Sequence, residues 1–329
     1  MGPVEPFLSR VILALSKQVA EFHPSIREYA AYALSSQGKQ IRPALVALSG
    51  RVFAPVSDAL VEVAVVIEMV HLATLVHDDV MDEADLRRSR PTLAAKWGNG
   101  LSVLVGDCLF AQALRLAASF TTPEICRAVA SSTNTVCTGE IIQTQQRHNF
   151  SISDEEYLLV LGMKTGELFA LSCEMGAHLA GASPSQRSAL RNFGMALGTA
   201  YQIYDDCLDL FGNEVMTGKS LGNDLAGGKP TWPILAALGK GTRFEKEQLL
   251  ERLENWSNDF LPETIELLHR HGVLNSAQCL IKKYLDQGLA HLQVLPSNAT
   301  ATGLLRGLCE FLSQQSSALG GVREPIFQR

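Results

Sequence analysis

Aromatic residues are scarce in this sequence, 7% of 329, and no segment alternates apolar and polar residues with a period of two. Sheets favour aromatic and β-branched residues on a pleated face, so both absences argue against a β architecture. There is no Cys-x-x-Cys pair. The seven cysteines (Cys108, Cys126, Cys137, Cys173, Cys207, Cys279, Cys309) are scattered and odd in number, which points to buried free thiols in a reducing compartment. No basic face offsets the net charge of -6, so nucleic acid is not an expected partner. Linkers rich in Pro, Gly or Ser are missing, as are composition breaks and solenoid repeats. The whole length, 1–329, therefore reads as one domain rather than two of about 150 residues. The longest apolar run, Ala59 to Val76, is broken by Glu62, Glu68 and His71. That favours a buried helix over a transmembrane segment. The opening Met1-Gly2-Pro3-Val4-Glu5-Pro6 lacks a basic n-region, and a cytoplasmic protein is expected.

Helical signals are abundant. Ser153 with Glu156 forms a capping box ahead of Tyr157 to Met163. Ser183-Pro184 with Gln186 marks another start, and Thr122-Pro123-Glu124 a third. Breaks are expected at 35–38, 98–100, 181–182, 212–213, 227–228 and 295–298, with segments of helical length between them. The expectation is an all-α fold of roughly ten or more helices, whose ligand site is built from side chains facing across the bundle.

Two segments carry the chemistry: His77-Asp78-Asp79-Val80-Met81-Asp82 and Tyr204-Asp205-Asp206-Cys207-Leu208-Asp209. Each places Asp at i, i+1 and i+4. Residues i and i+4 differ by about 40° around a helix, so the first and last Asp share a face. Each cluster follows an apolar run, which puts it at the end of a core helix. A lone Asp-Asp-x-x-Asp is as readily a solvated helix end. Two copies behind apolar helices are a surplus of negative charge that needs cations. All-oxygen ligands without His or Cys suit magnesium. Cations cluster nearby: Lys39 and Arg42, then Arg87, Arg88 and Arg90, then Lys164, Lys219 and Lys229. Each alone reads as a solvated charge; beside acidic clusters they suit recognition of a metal-bound diphosphate.

From Gly38 to Pro233 the chain resembles the trans-type isoprenyl diphosphate synthases, or polyprenyl synthetases. The matching motifs are Gly38-Lys39-x-x-Arg42-Pro43, His71 with the first aspartate cluster and Arg87-Arg88, Gly106-Asp107, Gly139-Glu140, Lys164-Thr165, Gln202 with the second cluster, Lys219-x-x-Gly222-x-Asp224 and Gly228-Lys229. The resemblance implies an isoprenoid-synthase-like bundle of antiparallel helices around a deep central cavity, usually a homodimer. It implies three Mg2+ per site, replaceable by Mn2+, with Asp78, Asp82 and Asp205 as direct ligands. Asp79, Asp206 and Asp209 would support them. Lys39, Arg42, His71 and Arg88 would bind isopentenyl diphosphate. Arg87, Lys164, Gln202, Lys219 and Lys229 would hold the allylic partner (geranyl, farnesyl or geranylgeranyl diphosphate). Lys164, Thr165, Gln202 and Lys219 form the implied catalytic set, with Thr165 and Gln202 facing the allylic cation. The chain departs from the family pattern at Gln40, Ser89, Ala94 and Tyr201, none a metal ligand or principal cation. Phe327-Gln328-Arg329 is assigned no role.

Catalysis in such an enzyme is electrostatic stabilisation of a departing diphosphate. Product length depends on the depth of an apolar cavity. Ala73 lies about 7–8 Å along the helix from Asp78, beside Thr74, where short-product members tend to carry aromatics. Met69 and Val70 form the next tier, with Val66 below. Small residues at 73 and 74 imply a product of geranylgeranyl length or longer; the alternative is that Ala73 only packs helices. A class I terpene cyclase is disfavoured by the complete second Asp-Asp-x-x-Asp, and a silent partner subunit by the intact aspartates. An HD-type phosphohydrolase lacks further His ligands.

Overall fold

The computed structural model describes residues 4–35, 38–212, 221–296 and 299–320. The helices are α1 (Glu5–Gln18), α2 (Arg27–Leu34), α3 (Ile41–Arg51), α4 (Asp58–Met81), α5 (Leu93–Trp97), α6 (Asn99–Ala118), α7 (Pro123–Gln145), α8 (Asp154–Leu161), α9 (Glu167–Leu179), α10 (Pro184–Phe211), α11 (Asn223–Ala226), α12 (Trp232–Lys240), α13 (Arg243–Glu254), α14 (Leu261–Arg270), α15 (Val273–His291) and α16 (Ala299–Ala318). The all-α expectation holds. The caps foreseen at Ser153 and Ser183 form: Glu156 and Gln186 return side-chain acceptors to the two serine N–H groups at 2.8 and 2.9 Å.

The chain folds into two compact units. The first comprises Met1–Asn134, Glu167–Met195 and His291–Arg306; the second comprises Thr135–Gly166, Ala196–Ala290 and Gly307–Arg329. The boundaries fall inside α7, α10, α15 and α16 and at the start of α9 rather than in linkers.

The first unit is built on α4. Ser57 starts it by accepting from the Leu60 N–H at 3.4 Å. Along α4, Val63, Ala64, Val66, Met69 and Ala73 have no exposed surface, because α1, α3, α6 and α9 all pack on it. A helix enclosed on all sides is apolar all round rather than amphipathic. By length and composition both α4 and α6 could cross a membrane; α4 is mostly buried in the protein, whereas α6 leaves Val103 and Leu104 exposed. The end of α4 is tied to α6 by His77. Its Nε2–H donates to the Val103 carbonyl at 3.0 Å, and its ring packs against Phe110. Gly106 makes this possible, since any Cβ there would overlap the His77 ring. His77 thus ties the end of α4 to α6.

One element departs from the sequence reading. Leu86–Arg87 (β1) pairs antiparallel with Arg90–Pro91 (β2), in the register Arg87 opposite Arg90. The two turn residues, Arg88 and Ser89, have φ of 52° and 59°, the pattern of a type I′ turn. Such turns are signalled by Asn-Gly or Asp-Gly, and neither residue here carries that signal.

The second unit encloses a separate core: Phe150, Cys207, Leu210, Phe211, Leu225, Ile234, Leu249 and Leu268, with further residues of α12 to α15. Helix α8 ends at Leu161 and the chain passes through a π-turn, Gly162–Gly166. Single π-turns frequently mark functional sites, and this one contains Lys164 and Thr165.

Candidate active site

In the first unit, Asp78 and Asp79 occupy the last turn of α4 and Asp82 is its C-cap. The Asp82 N–H donates to the Asp78 carbonyl at 2.8 Å, which closes the helix. The three carboxylates differ in setting. Asp79 is buried and accepts from Arg87 Nε at 2.6 Å, whereas Asp82 is exposed. Arg87 therefore anchors β1 to the cluster. Arg42 stands in the first turn of α3, entered through Gln40 with φ 49°. Its guanidinium lies 5.1 Å from the centre of the Phe169 ring. Lys39 is exposed in the same entrance.

His71, two turns before Asp78, shares its surroundings with Arg42, Arg88 and Arg87. Desolvation first, and then these cations, hold its pKa well below the usual imidazole value. The ring is neutral and able to donate one hydrogen bond and accept another. One turn deeper, Glu68 is buried; desolvation raises its pKa, while Arg42 and Arg88 pull it down. Glu68 is a site residue that the sequence reading passed over. Its signal was present as a carboxylate inside an apolar run, a position tolerated only near compensating charge.

Of the positions read as setting product length, Ala73 and Met69 are fully buried and Val70 nearly so. Thr74 is partly exposed, and its hydroxyl donates to the His71 carbonyl at 2.7 Å. These residues line one strip of α4 leading away from the aspartates.

In the second unit a continuous chain of hydrogen bonds runs through the site. Thr165 Oγ1 donates to Gln202 Oε1 at 2.9 Å. Gln202 Nε2 donates to Asp206 Oδ1 at 3.0 Å, and Tyr157 donates its hydroxyl to Asp206 Oδ2 at 2.6 Å. Asp206 is buried and Asp205 exposed. Asp209 takes the first N–H groups of α11, from Asn223 at 3.2 Å and Asp224 at 3.1 Å. The i, i+1, i+4 spacing therefore gives three carboxylates three settings. Lys164 is held between Glu140 Oε2 at 2.5 Å and Gln143 Oε1 at 2.8 Å, both from α7. Lys229 lies 3.6 Å from Asp224. Lys219 falls outside the described residues.

The electrostatics of this cluster are strained by excess negative charge. Burial, then Asp224, raise Asp206 to about 8 against the opposing hydrogen bonds from Tyr157 and Gln202. The same two causes raise Asp209 to about 7. Tyr157 is pushed well above the usual phenol value by burial and by Asp206, so it remains a donor. Tyr157, Gln143 and the roles of Glu140 and Asp224 were not foreseen. Tyr157 is 49 residues from its partner, and no spacing rule connects them.

Comparison with known proteins matches this arrangement to one family. Residues 23–266 match the family described as Polyprenyl synthetase. The chain is 33% identical over 309 residues to an octaprenyl diphosphate synthase of Escherichia coli (strain K12), covering 94% of this chain and 95% of that one. It is 36% identical over 322 residues to heptaprenyl diphosphate synthase component 2 of Geobacillus stearothermophilus, covering 94% and 97%. Its fold superposes on a polyprenyl synthase from Caulobacter crescentus CB15, complexed with calcium and isoprenyl diphosphate. There the TM-score is 0.88, the identity 30%, and the coverage 94% of this chain and 95% of that one. With a family match over most of its length and two aspartate clusters framed by lysine and arginine, the chain belongs to the polyprenyl synthetase family.

Proposed function

We propose that this protein is a magnesium-dependent prenyltransferase that condenses isopentenyl diphosphate with an allylic diphosphate, releasing diphosphate and forming a trans-polyprenyl diphosphate of geranylgeranyl length or longer. The observation that carries the reading is a shared plan in the two clusters. In each, the middle aspartate is buried against fixed partners, Arg87 for Asp79 and Tyr157 with Gln202 for Asp206, while an outer aspartate, Asp82 or Asp205, is exposed. The relatives' names, octaprenyl and heptaprenyl, agree with a long product.

The donor set fits magnesium. Asp206 and Asp209 are raised in pKa by burial and by their acidic neighbour Asp224, a surplus of charge that a divalent cation relieves. Among the described residues no three His, Cys, Asp or Glu side chains gather as a ready-made metal site; magnesium, which keeps water and phosphate oxygens in its shell, would need only one or two of these carboxylates directly. The Caulobacter complex with calcium and isoprenyl diphosphate supports the same pairing of divalent cation and diphosphate. Bound there by Asp78, Asp82 and Asp205, with Asp79, Asp206 and Asp209 behind them, magnesium would neutralise charge on the leaving diphosphate; manganese would serve as a substitute, and three ions per site are proposed.

The protein's own groups do the rest. Lys39, Arg42, His71 and Arg88 would bind isopentenyl diphosphate. Arg87, Lys164, Gln202, Lys219 and Lys229 would hold the allylic diphosphate. Glu140 and Gln143 fix the Lys164 ammonium. The Gln202 carbonyl and the Thr165 hydroxyl, already aligned with each other, would present oxygen to the allylic cation. A cytoplasmic homodimer is proposed, for which the exposed Val103 and Leu104 on α6 offer an apolar face.

Incubation with isopentenyl diphosphate and farnesyl diphosphate, followed by chromatography of the products, tests the reading. Elongated diphosphates are expected with magnesium and none after chelation. Full turnover in chelator would overturn the metal assignment. Silence of the purified chain, reversed by adding a second protein, would instead give it the role of one component in a two-protein enzyme.

A further inference from the structure

The hairpin that carries Arg87 and Arg88 is held in an unfavourable turn. Arg88 and Ser89 both have positive φ, a region that side chains with a Cβ disfavour. Neither is Gly, Asn or Asp, so the turn does not hold itself. Conformations of this kind persist where the surroundings over-determine them.

Those surroundings come from α2. The Arg90 guanidinium carbon lies over the Tyr32 ring, 3.6 Å from its centre. The Tyr32 hydroxyl donates to the Pro91 carbonyl at 2.7 Å. Arg90 also donates to Ser35 Oγ at 2.8 Å. Tyr32 is backed by Trp97, edge to face at 4.9 Å, and Lys96 lies over both rings, 4.7 and 4.1 Å from their centres. One strand is thus fastened to α2 through Arg90 and Pro91. The other is fastened to Asp79 through Arg87. Between these two anchors stands Arg88, and its guanidinium lies on the Gly38 backbone: a Cβ at Gly38 would sit 2.7 Å from Arg88 Cζ. The turn brings Arg88 to the Gly38-Lys39 loop.

We infer that Tyr32, outside every motif of the site, is the positioning residue that holds the strained turn and so presents Arg88 beside Lys39 for isopentenyl diphosphate. The inference rests on the assignment of Arg88 to that substrate. Tyr32 touches no reacting atom. It acts by fixing Arg90 and Pro91, and through them the two positive-φ residues that precede them.

The test is a steady-state series on the full chain: Tyr32→Ala, Tyr32→Phe, Tyr32→Ala with Ser89→Gly, and Arg88→Ala. Melting temperatures are taken in parallel. Tyr32→Ala should raise KM for isopentenyl diphosphate roughly tenfold, the size expected from one cation–π contact and one hydrogen bond. KM for the allylic substrate should change little, because Arg87 keeps Asp79. Tyr32→Phe keeps the stacked ring and should show only part of the rise. Adding Ser89→Gly to Tyr32→Ala should recover part of the loss, because glycine takes one of the turn's two positive-φ positions without strain. An unchanged KM for isopentenyl diphosphate in folded Tyr32→Ala would overturn the inference. So would an equal rise for both substrates, or no recovery by Ser89→Gly. If Arg88→Ala itself leaves that KM unchanged, the substrate assignment fails first; if Arg88→Ala raises it and Tyr32→Ala does not, only the role of Tyr32 falls.

Discussion

The middle aspartates are buried against fixed hydrogen-bond partners. Asp206 is buried and takes hydrogen bonds from Tyr157 and Gln202, while Asp205 beside it is exposed. Replacing the two should therefore have different signatures. Asp205→Ala should lower kcat by about 10²–10³-fold, the scale seen when one preorganised electrostatic group is removed. Tyr157→Phe keeps every carboxylate but leaves one buried oxygen of Asp206 without its donor, a loss of about 1–3 kcal/mol for a buried polar atom left unsatisfied. It should lower the melting temperature and raise the magnesium concentration for half-maximal activity, with a smaller fall in saturated kcat. A magnesium titration of both variants separates these outcomes. Equal losses in the two would refute the distinction.

His71 makes a second prediction at this scale. Its folded-state pKa lies well below the usual value because of desolvation and three arginines. The unfolded chain takes up the proton near pH 6.5, whereas the folded protein does not. The contribution to stability is thus present above about pH 6.5 and is lost as pH falls below it. In His71→Gln, the decline in melting temperature between about pH 7 and pH 5 should be shallower than in the parent. Identical slopes would remove His71 from this account.

At the scale of elements, α4 carries two sets of candidate site residues along one axis. Its last turn presents Asp78 and Asp79, and the deeper turns present Ala73, Val70 and Met69. Ala73→Phe adds bulk where the alanine has no exposed surface. Overpacking of this kind costs about 1–3 kcal/mol where no space exists, and less where the ring enters the path of a growing tail. The expected result is a shorter product with modest destabilisation, read by product chromatography and thermal melting. Strong destabilisation with unchanged product length would mean that Ala73 only packs helices.

The elements also show what was legible in the sequence. The caps at Ser153 and Ser183 and the apolar interior of α4 follow from local patterns. The paired aspartates and most of the surrounding cations follow from motif and spacing. The Arg88-Ser89 turn did not, because its geometry is imposed by Tyr32 and Asp79 against the local preference of both residues. The π-turn at Lys164 and Thr165 was hidden too, since the helical segment from Tyr157 to Met163 is followed by no break signal before Gly181. Tyr157, Gln143 and Glu68 enter the site through tertiary contacts or burial, which periodicity does not encode.

At the scale of the whole molecule, Val103 has two faces. Its side chain is exposed on α6 beside Leu104, and its carbonyl is the acceptor for His77, the residue immediately before Asp78. The peptide that meets His77 thus belongs to a residue whose side chain faces outward. If a second copy sits there, assembly and catalysis are coupled through a single hydrogen bond. Specific activity should then fall on dilution. Leu104→Glu should yield monomers by light scattering that need more magnesium for half-maximal turnover while melting near the parent temperature. A fully active monomer with unaltered metal demand would show that the two faces of Val103 are independent. The feature first seen as a packing detail, an imidazole lying on Gly106, would otherwise act as a relay by which each subunit senses the presence of its neighbour.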